Sequence, residues 1–416
     1  MTRRRKIALL VIAAAILAGV VALRWLLDPG YLVPTALNLA GKSLGLEITA
    51  SGIGEYRLRG TPQLVARNVI AREPGAKTAV LTAERVFISV PWSTLRARGR
   101  DLIANRLELD APVLDMAAFQ AWQSKRPPST TPIPTLASGI GIVRGQVIGE
   151  GWKIDNLDAE LKSLAPAKPL RAHLRGRYDG NGLTAPIDVH ATLTKPASGA
   201  GVGIAGQIAL ESAQWRLPSR ITLSAKLNME SGLGLQGAVL AAKSRYVSGN
   251  TSLPFAVAIA GPLQFGDSGL SLRPAGLALR GQETMPTLDA GGAFSLYDDM
   301  RIDLDGSLAD WPAAWPALPA PLGHSTSPLP FVLAYGGPGD LSGIAALKLQ
   351  RDDTVFDVRF HLFEVMEWID ASTQGSPLPP IAGTLKTPKL EISGATLEGV
   401  EVRLEDPSMP TTAPAQ

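Results

Sequence analysis

RVFISVPWSTLRARGRDLIANRLELDAPVL, Arg85 to Leu114, lays two strand-like runs around a turn that carries Arg96, Arg98 and Arg100. In its second half the apolar Leu107, Leu109, Ala111 and Val113 alternate with Arg106, Glu108 and Asp110. That is the period of two expected of a strand with one dry face. Val86, Ile88 and Val90 are the apolar counterparts before the turn. No His or Cys stands in the stretch, so it reads as architecture and not as a reactive centre.

The same pattern frames the chain. Val400, Val402 and Leu404 alternate with Glu401, Arg403 and Glu405 near its end. In LRAHLRGRYDGNGLTAPIDVHATLT, Asp179-Gly180-Asn181-Gly182 separates two alternating runs, a strong short-range hairpin signal. GQIALES, SRITLSAKL, FAVAIAG and TVFDVRFHLFEV add further strand-like runs, and 42 Gly and 33 Pro supply the turns such a chain needs. The fold expected is mainly β: a long curved antiparallel sheet of about 25 strands forming an apolar groove, with few short helices. Alternation is equally compatible with the dry core of closed β-sandwiches. Helices are expected beyond Pro34 within Tyr31–Gly45 and over Asp115–Gln123, and FHLFEVMEW, Phe360–Trp368, fits either a strand or a short helix.

Before the strands, MTRRRK precedes seventeen uncharged residues, Ile7 to Leu23. Continued through Leu27, a helix of this run spans about 30 Å, the thickness of a bilayer's hydrocarbon core. Arg3, Arg4, Arg5 and Lys6 favour the cytoplasmic side, and Trp25 suits the far interface. The expectation is a single-pass anchor over residues 7–27, with the bulk of the chain in the periplasm of a bacterium. A cleaved signal peptide ending near Val20–Ala22 is the alternative. The organisation then reads as 1–28 basic stub and anchor, 29–124 first β module, 125–135 Pro/Ser/Thr-rich linker, 136–309 strand-rich region, 310–330 loop rich in Pro with Trp311 and Trp315, and 331–416 last β region.

Composition excludes more chemistry than it offers. Without cysteine there is no disulfide, thiol nucleophile or Cys-ligated metal. Lys and Arg outnumber Asp and Glu by 17 to 9 over residues 1–125 and 16 to 9 over 126–280, whereas 281–416 hold 7 against 19. The basic part lies nearest the anchor, so Arg96, Arg98 and Arg100 are candidates to face anionic headgroups, or solvent. No basic block interleaved with aromatics points to nucleic acid. GVGIAG, Gly201–Gly206, has dinucleotide-loop spacing but no helix signal after it. GDSGL, Gly266–Leu270, is similar to a serine-protease nucleophile segment, yet Ser268 has no partner motif and the segment suits a turn. His173, His190, His324 and His361 form no H-E-x-x-H pattern, and Asp298-Asp299 and Asp352-Asp353 sit in turn-like surroundings. Neither a metal nor another cofactor is expected.

Taken together, the basic start, the single span, a segment ending in GKSLG, ITASGIGEYRLRGTPQLVARNVIARE and LTAERVFISVPWSTLRARGRDLIANRLELDAPVLDM resemble the N-terminal module of the AsmA-like family. Asp110, Ala111 and Pro112 match the acidic-small-Pro strand ending seen there, and IAGTLKTPKLEISGATLEGVEVRLED is similar to the family's C-terminal strands. An Asn-Trp pair frequent after that first module is replaced by AFQAWQSKRPP. The resemblance implies a non-enzymatic inner-membrane protein, similar in build to TamB and chorein-type lipid carriers. Such a protein would hold phospholipid acyl chains in a β-groove and contribute to phospholipid traffic or outer-membrane assembly. Val86, Ile88, Val90, Leu107, Leu109, Val400, Val402 and Leu404 are the candidate groove-facing residues. The alternative is an envelope scaffold, an accessory to a secretion or assembly machine, with closed β-domains, protein partners and no lipid. A hydrolase using Ser268 is the third class.

Overall fold

Strand follows strand in hydrogen-bonded ladders through a computed structural model. It describes Leu37, Gly41 and residues 44–409 except 53–55, 58–59, 97–102, 126–134, 167, 181, 230–233, 250, 267–268, 282, 284, 314, 316–317, 319–321, 326, 340, 372–378, 393–394 and 408. Two compact units divide the chain at residues 190 and 191. The first contains β1 (Glu47–Gly52), β2 (Tyr56–Arg57), β3 (Gln63–Arg72), β4 (Ala79–Ser89), β5 (Ile103–Ala104), β6 (Arg106–Asp110), β7 (Val113–Asp115), β8 (Thr135–Leu136), β9 (Ile140–Gly149), β10 (Trp152–Leu161) and β11 (Leu170–Gly180). It also contains most of β12 (Leu183–Leu193).

Within this unit β1 and β2 pair with β3, β3 with β4, and β4 with both β6 and β7, all antiparallel. The ladder then departs from the purely antiparallel sheet that the alternation predicts, because β6 and β7 both pair with β9 in parallel. Parallel neighbours need a long crossover. The chain between β7 and β9 supplies one, beginning with the helix Met116–Ser124, whose N-cap Asp115 accepts from the Ala118 N–H at 2.8 Å. This is the helix expected over Asp115–Gln123. Antiparallel pairing resumes from β9 to β10 and on to β11.

One expected strand is broken. Residues 107–113 do not run as a single alternating strand, since Ala111 takes the left-handed conformation with φ +47° before Pro112 and separates β6 from β7. Asn68 (φ +50°), Arg144 (φ +56°) and Asn156 (φ +51°) do the same in β3, β9 and β10. The first three fall in line, because Val69 pairs with Ala83, Arg85 with Asp110, and Asp110 with Val143. At such a residue the alternation slips by one. In β10 the apolar positions change from Trp152 and Ile154 to Leu157, Ala159 and Leu161, and in β3 Ala66 and Val69 share one buried cluster although their spacing is odd.

The second unit is a plain antiparallel succession: β13 (Gly201–Glu211), β14 (Arg216–Asn228), β15 (Gly234–Ser248), β16 (Thr251–Phe265), β17 (Leu270–Arg280), β18 (Thr287–Leu296), β19 (Met300–Ala309), β20 (Leu329–Gly337), β21 (Ile344–Arg351), β22 (Thr354–His361), β23 (Ile381–Ile392) and β24 (Ala395–Leu404). Each pairs with the next. GVGIAG lies wholly inside β13, so it is not a phosphate loop. FHLFEVMEW divides between strand and helix: Phe360 and His361 end β22, and the helix Leu362–Ala371 follows. No helix among the described residues is long and apolar enough to cross a membrane, and the expected anchor at 7–27 lies outside them.

Candidate functional site: a one-sided apolar face

Residues paired across a ladder project from the same face of the sheet. In the first unit this carries two apolar rows across six strands. Leu64 pairs with Ile88, Ile88 with Leu107, Leu107 with Ile140, Ile140 with Leu161, and Leu161 with Ala172. Beside that row Ala66, Val86, Leu109, Ile142, Ala159 and Leu174 follow the same path. The structure therefore brings Val86, Ile88, Leu107 and Leu109 together, each half-buried. Val86 also packs against the cluster of Ala66 and Val69, to which Leu37, Ile48 and Ala50 contribute. Val90 lies just past β4, where its N–H donates to Pro62 O at 3.0 Å. Arg96 ends the short helix Trp92–Arg96, and Arg98 and Arg100 lie outside the described residues, as does Ser268.

The opposite face of the same strands is ionic. The Arg106 guanidinium donates to Glu160 at 2.8 and 3.1 Å, to Glu108 at 3.2 Å and to Ser138 O at 2.8 Å. Its hydrogen bonds to Glu160 hold its pKa above the ordinary arginine value against some desolvation. Arg85 reaches Glu108 at 3.3 Å, and Arg144 joins Asp110 and Glu84 at 2.7 and 2.9 Å. Farther along, His173 Nε2 lies 2.7 Å from Asp188 Oδ1, and the His173 and His190 rings stack with centroids 4.2 Å apart. The His173 hydrogen bond, and then Arg175, hold the Asp188 carboxyl below the usual carboxylate range.

Sequence reasoning passed over this last cluster, although a signal was present. Counting back from the turn after Gly180 places residue 173 opposite 190, and 175 opposite 188. His173, Asp188 and His190 thus converge from two strands that no linear motif connects.

The second unit repeats the one-sided pattern over twelve strands. Ile204, Leu223, Leu240, Ile259, Leu277, Ala290, Gly306, Phe331, Leu349, Phe356, Leu385 and Val402 form one cross-strand row. Val402 stands at its end, with Val400 opposite Thr387 and Leu404 opposite Gly383; all three are half-buried.

Coverage changes along the row. Phe331 is 4 % exposed, Leu349 6 % and Leu385 8 %. Over these strands lie Leu322, whose backbone carbonyl accepts from the buried Arg351 guanidinium, and the helix Leu362–Ala371, which adds Leu362 and Val365 to the core of Tyr335, Ala345, Val358, Phe360 and Ile381. Arg351 also donates to Ser325 O and Ser327 O, each at 2.6 Å, and Trp311 meets Trp315 edge to face at 5.4 Å. Through Leu318, Leu322 and the Arg351 hydrogen bonds, the described part of the Pro/Trp-rich loop is held against these strands.

From Ile204 to Leu277 every member of the row is only half-buried. Neighbours within a sheet shield a side chain only partly, and complete burial takes a second layer. Fully burying a Leu or Ile is worth about 1.5–3 kcal/mol, so each of these five residues leaves on the order of 1 kcal/mol unrealised.

No family model, curated protein or solved structure matches this chain.

Proposed function

We propose that the protein is a non-enzymatic, membrane-anchored component of a bacterial envelope. In this reading the apolar face of its β-sheet holds phospholipid acyl chains, in support of phospholipid traffic or outer-membrane assembly. The observation that carries the reading is the half-buried row Ile204, Leu223, Leu240, Ile259 and Leu277. At about 4.8 Å between strands it extends about 19 Å, somewhat more than the ~15 Å depth of one bilayer leaflet's hydrocarbon. An acyl chain laid along it would gain about 0.8 kcal/mol per methylene removed from water, while a headgroup at the sheet's margin stays hydrated. The AsmA-like resemblance of the first module and last strands points the same way. The anchor at residues 7–27 would place the face in the periplasm, and Arg96, Arg98 and Arg100 would meet anionic headgroups close to it.

The buried clusters of β20 to β23 favour a second reading, an envelope scaffold with closed β-domains and protein partners. Native mass spectrometry with lipid extraction separates the two, applied to protein lacking residues 1–28 and directed to the periplasm. The lipid-holding reading expects co-purified phospholipid that is lost in Leu223→Glu/Ile259→Glu while the β-type circular dichroism persists. Folded wild-type protein free of lipid would overturn it and leave the scaffold.

A further inference from the structure

We propose that His173, Asp188 and His190 form a binding site for one divalent transition ion of the zinc type on the polar face of the first unit. Asp188 and His190 stand two apart on β12 and so project from one face, and His173 meets them from β11. One ligand atom from each of the three lies within 4.8 Å of the others. A tetrahedral ion with bonds of about 2.0–2.1 Å needs its ligand atoms about 3.3 Å apart, which requires the stacked His173 and His190 rings to turn out of parallel so that each aims a nitrogen lone pair at the ion. The tightest contact is already shorter than that: His173 Nε2 and Asp188 Oδ1 are 2.7 Å apart and share a proton that an ion would replace. On binding, that proton leaves Nε2, either to Nδ1 of the same ring or to solvent.

The surroundings fit the assignment. Arg175 holds the other carboxylate oxygen, Oδ2, through Nε at 3.2 Å and Nη2 at 3.1 Å. This leaves Oδ1 to the ion and fixes the direction of the carboxylate, as outer-shell partners of metal ligands do. Glu160 faces His173 across the ladder, but Arg106 occupies both of its oxygens, so it is not a fourth ligand. His190 is exposed, and water completes the coordination. Two imidazoles and one carboxylate suit zinc, copper or nickel better than calcium or magnesium, which prefer oxygen alone.

The test is calorimetric titration of the full-length protein in detergent, stripped of metal by a chelator, with zinc chloride and separately with calcium chloride. The expected result is one saturable zinc per chain, no calcium uptake, and at least tenfold weaker zinc binding in His173→Gln and in His190→Gln. Arg175→Gln, which leaves all three ligands in place, is expected to weaken binding less than either. His361→Gln, remote in sequence and on β22, is expected to bind like the wild type. Absence of saturable uptake, or equal uptake by the two histidine variants with unchanged circular dichroism, would overturn the assignment.

Discussion

Gly141 shows how one missing side chain organises a face. It stands between Glu108 and Glu160 in the ladder, and the Arg106 guanidinium crosses above it to reach Glu160. A Cβ there would sit 2.8 Å from Arg106 Nη2 and 3.3 Å from Glu160 Oε2. Gly141→Val is expected to push the guanidinium off Glu160 and to lower stability by about 1 kcal/mol, the scale of a charge-assisted hydrogen-bonded pair near the surface. Urea denaturation of Gly141→Val, Glu160→Ala and the double variant checks this. The expected outcome is a double variant no less stable than Gly141→Val alone, whereas simple additivity would show that the glycine and the ion pair are independent.

At the scale of strands, the contrast lies between covered and bare positions of one row. Phe331 belongs to the cluster closed by Leu322, whereas Ile259 is only half-buried and, among the described residues, joins no buried cluster. Phe331→Ala is expected to cost about 3–5 kcal/mol and Ile259→Ala roughly 1 kcal/mol, read from paired denaturation midpoints. Equal costs would mean that Ile259 is buried in solution by something bound there. The alternation that makes these rows is legible in the sequence: Leu107 with Leu109, and Val400 with Val402 and Leu404, each keep one face. The hairpin around Gly180 and the Asp115-capped helix are legible too, since turn and cap chemistry are local. The slips at Asn68, Ala111, Arg144 and Asn156 are not. Any residue can be forced left-handed when neighbouring strands fix it, as the Arg144 N–H does by donating to Asp158 at 2.9 Å. Nor does alternation distinguish Phe331 from Ile259, because the cover comes from the connecting segments, the loop that leads into β20 and the helix that follows β22, and not from the strand itself.

Across the chain as a whole, the last strand and the bare row have opposite dispositions towards other copies. The outermost strand of the second unit, β24, presents Glu398, Glu401 and Arg403, with Lys386 of β23 paired to Glu401 at 3.2 Å. Charge at a strand edge discourages the edge-to-edge pairing by which sheets aggregate. Among the described residues the row from Ile204 to Leu277 has no comparable guard. On the proposed lipid-holding reading, chains deprived of amphiphile are expected to associate through their faces, in a concentration-dependent way that mild detergent reverses. Light scattering coupled to size exclusion would register this, and a stripped chain that stays monomeric would show the row to be covered in solution. The amphiphile would then be more than cargo: like a chaperone that never leaves, it would keep its own carrier in solution.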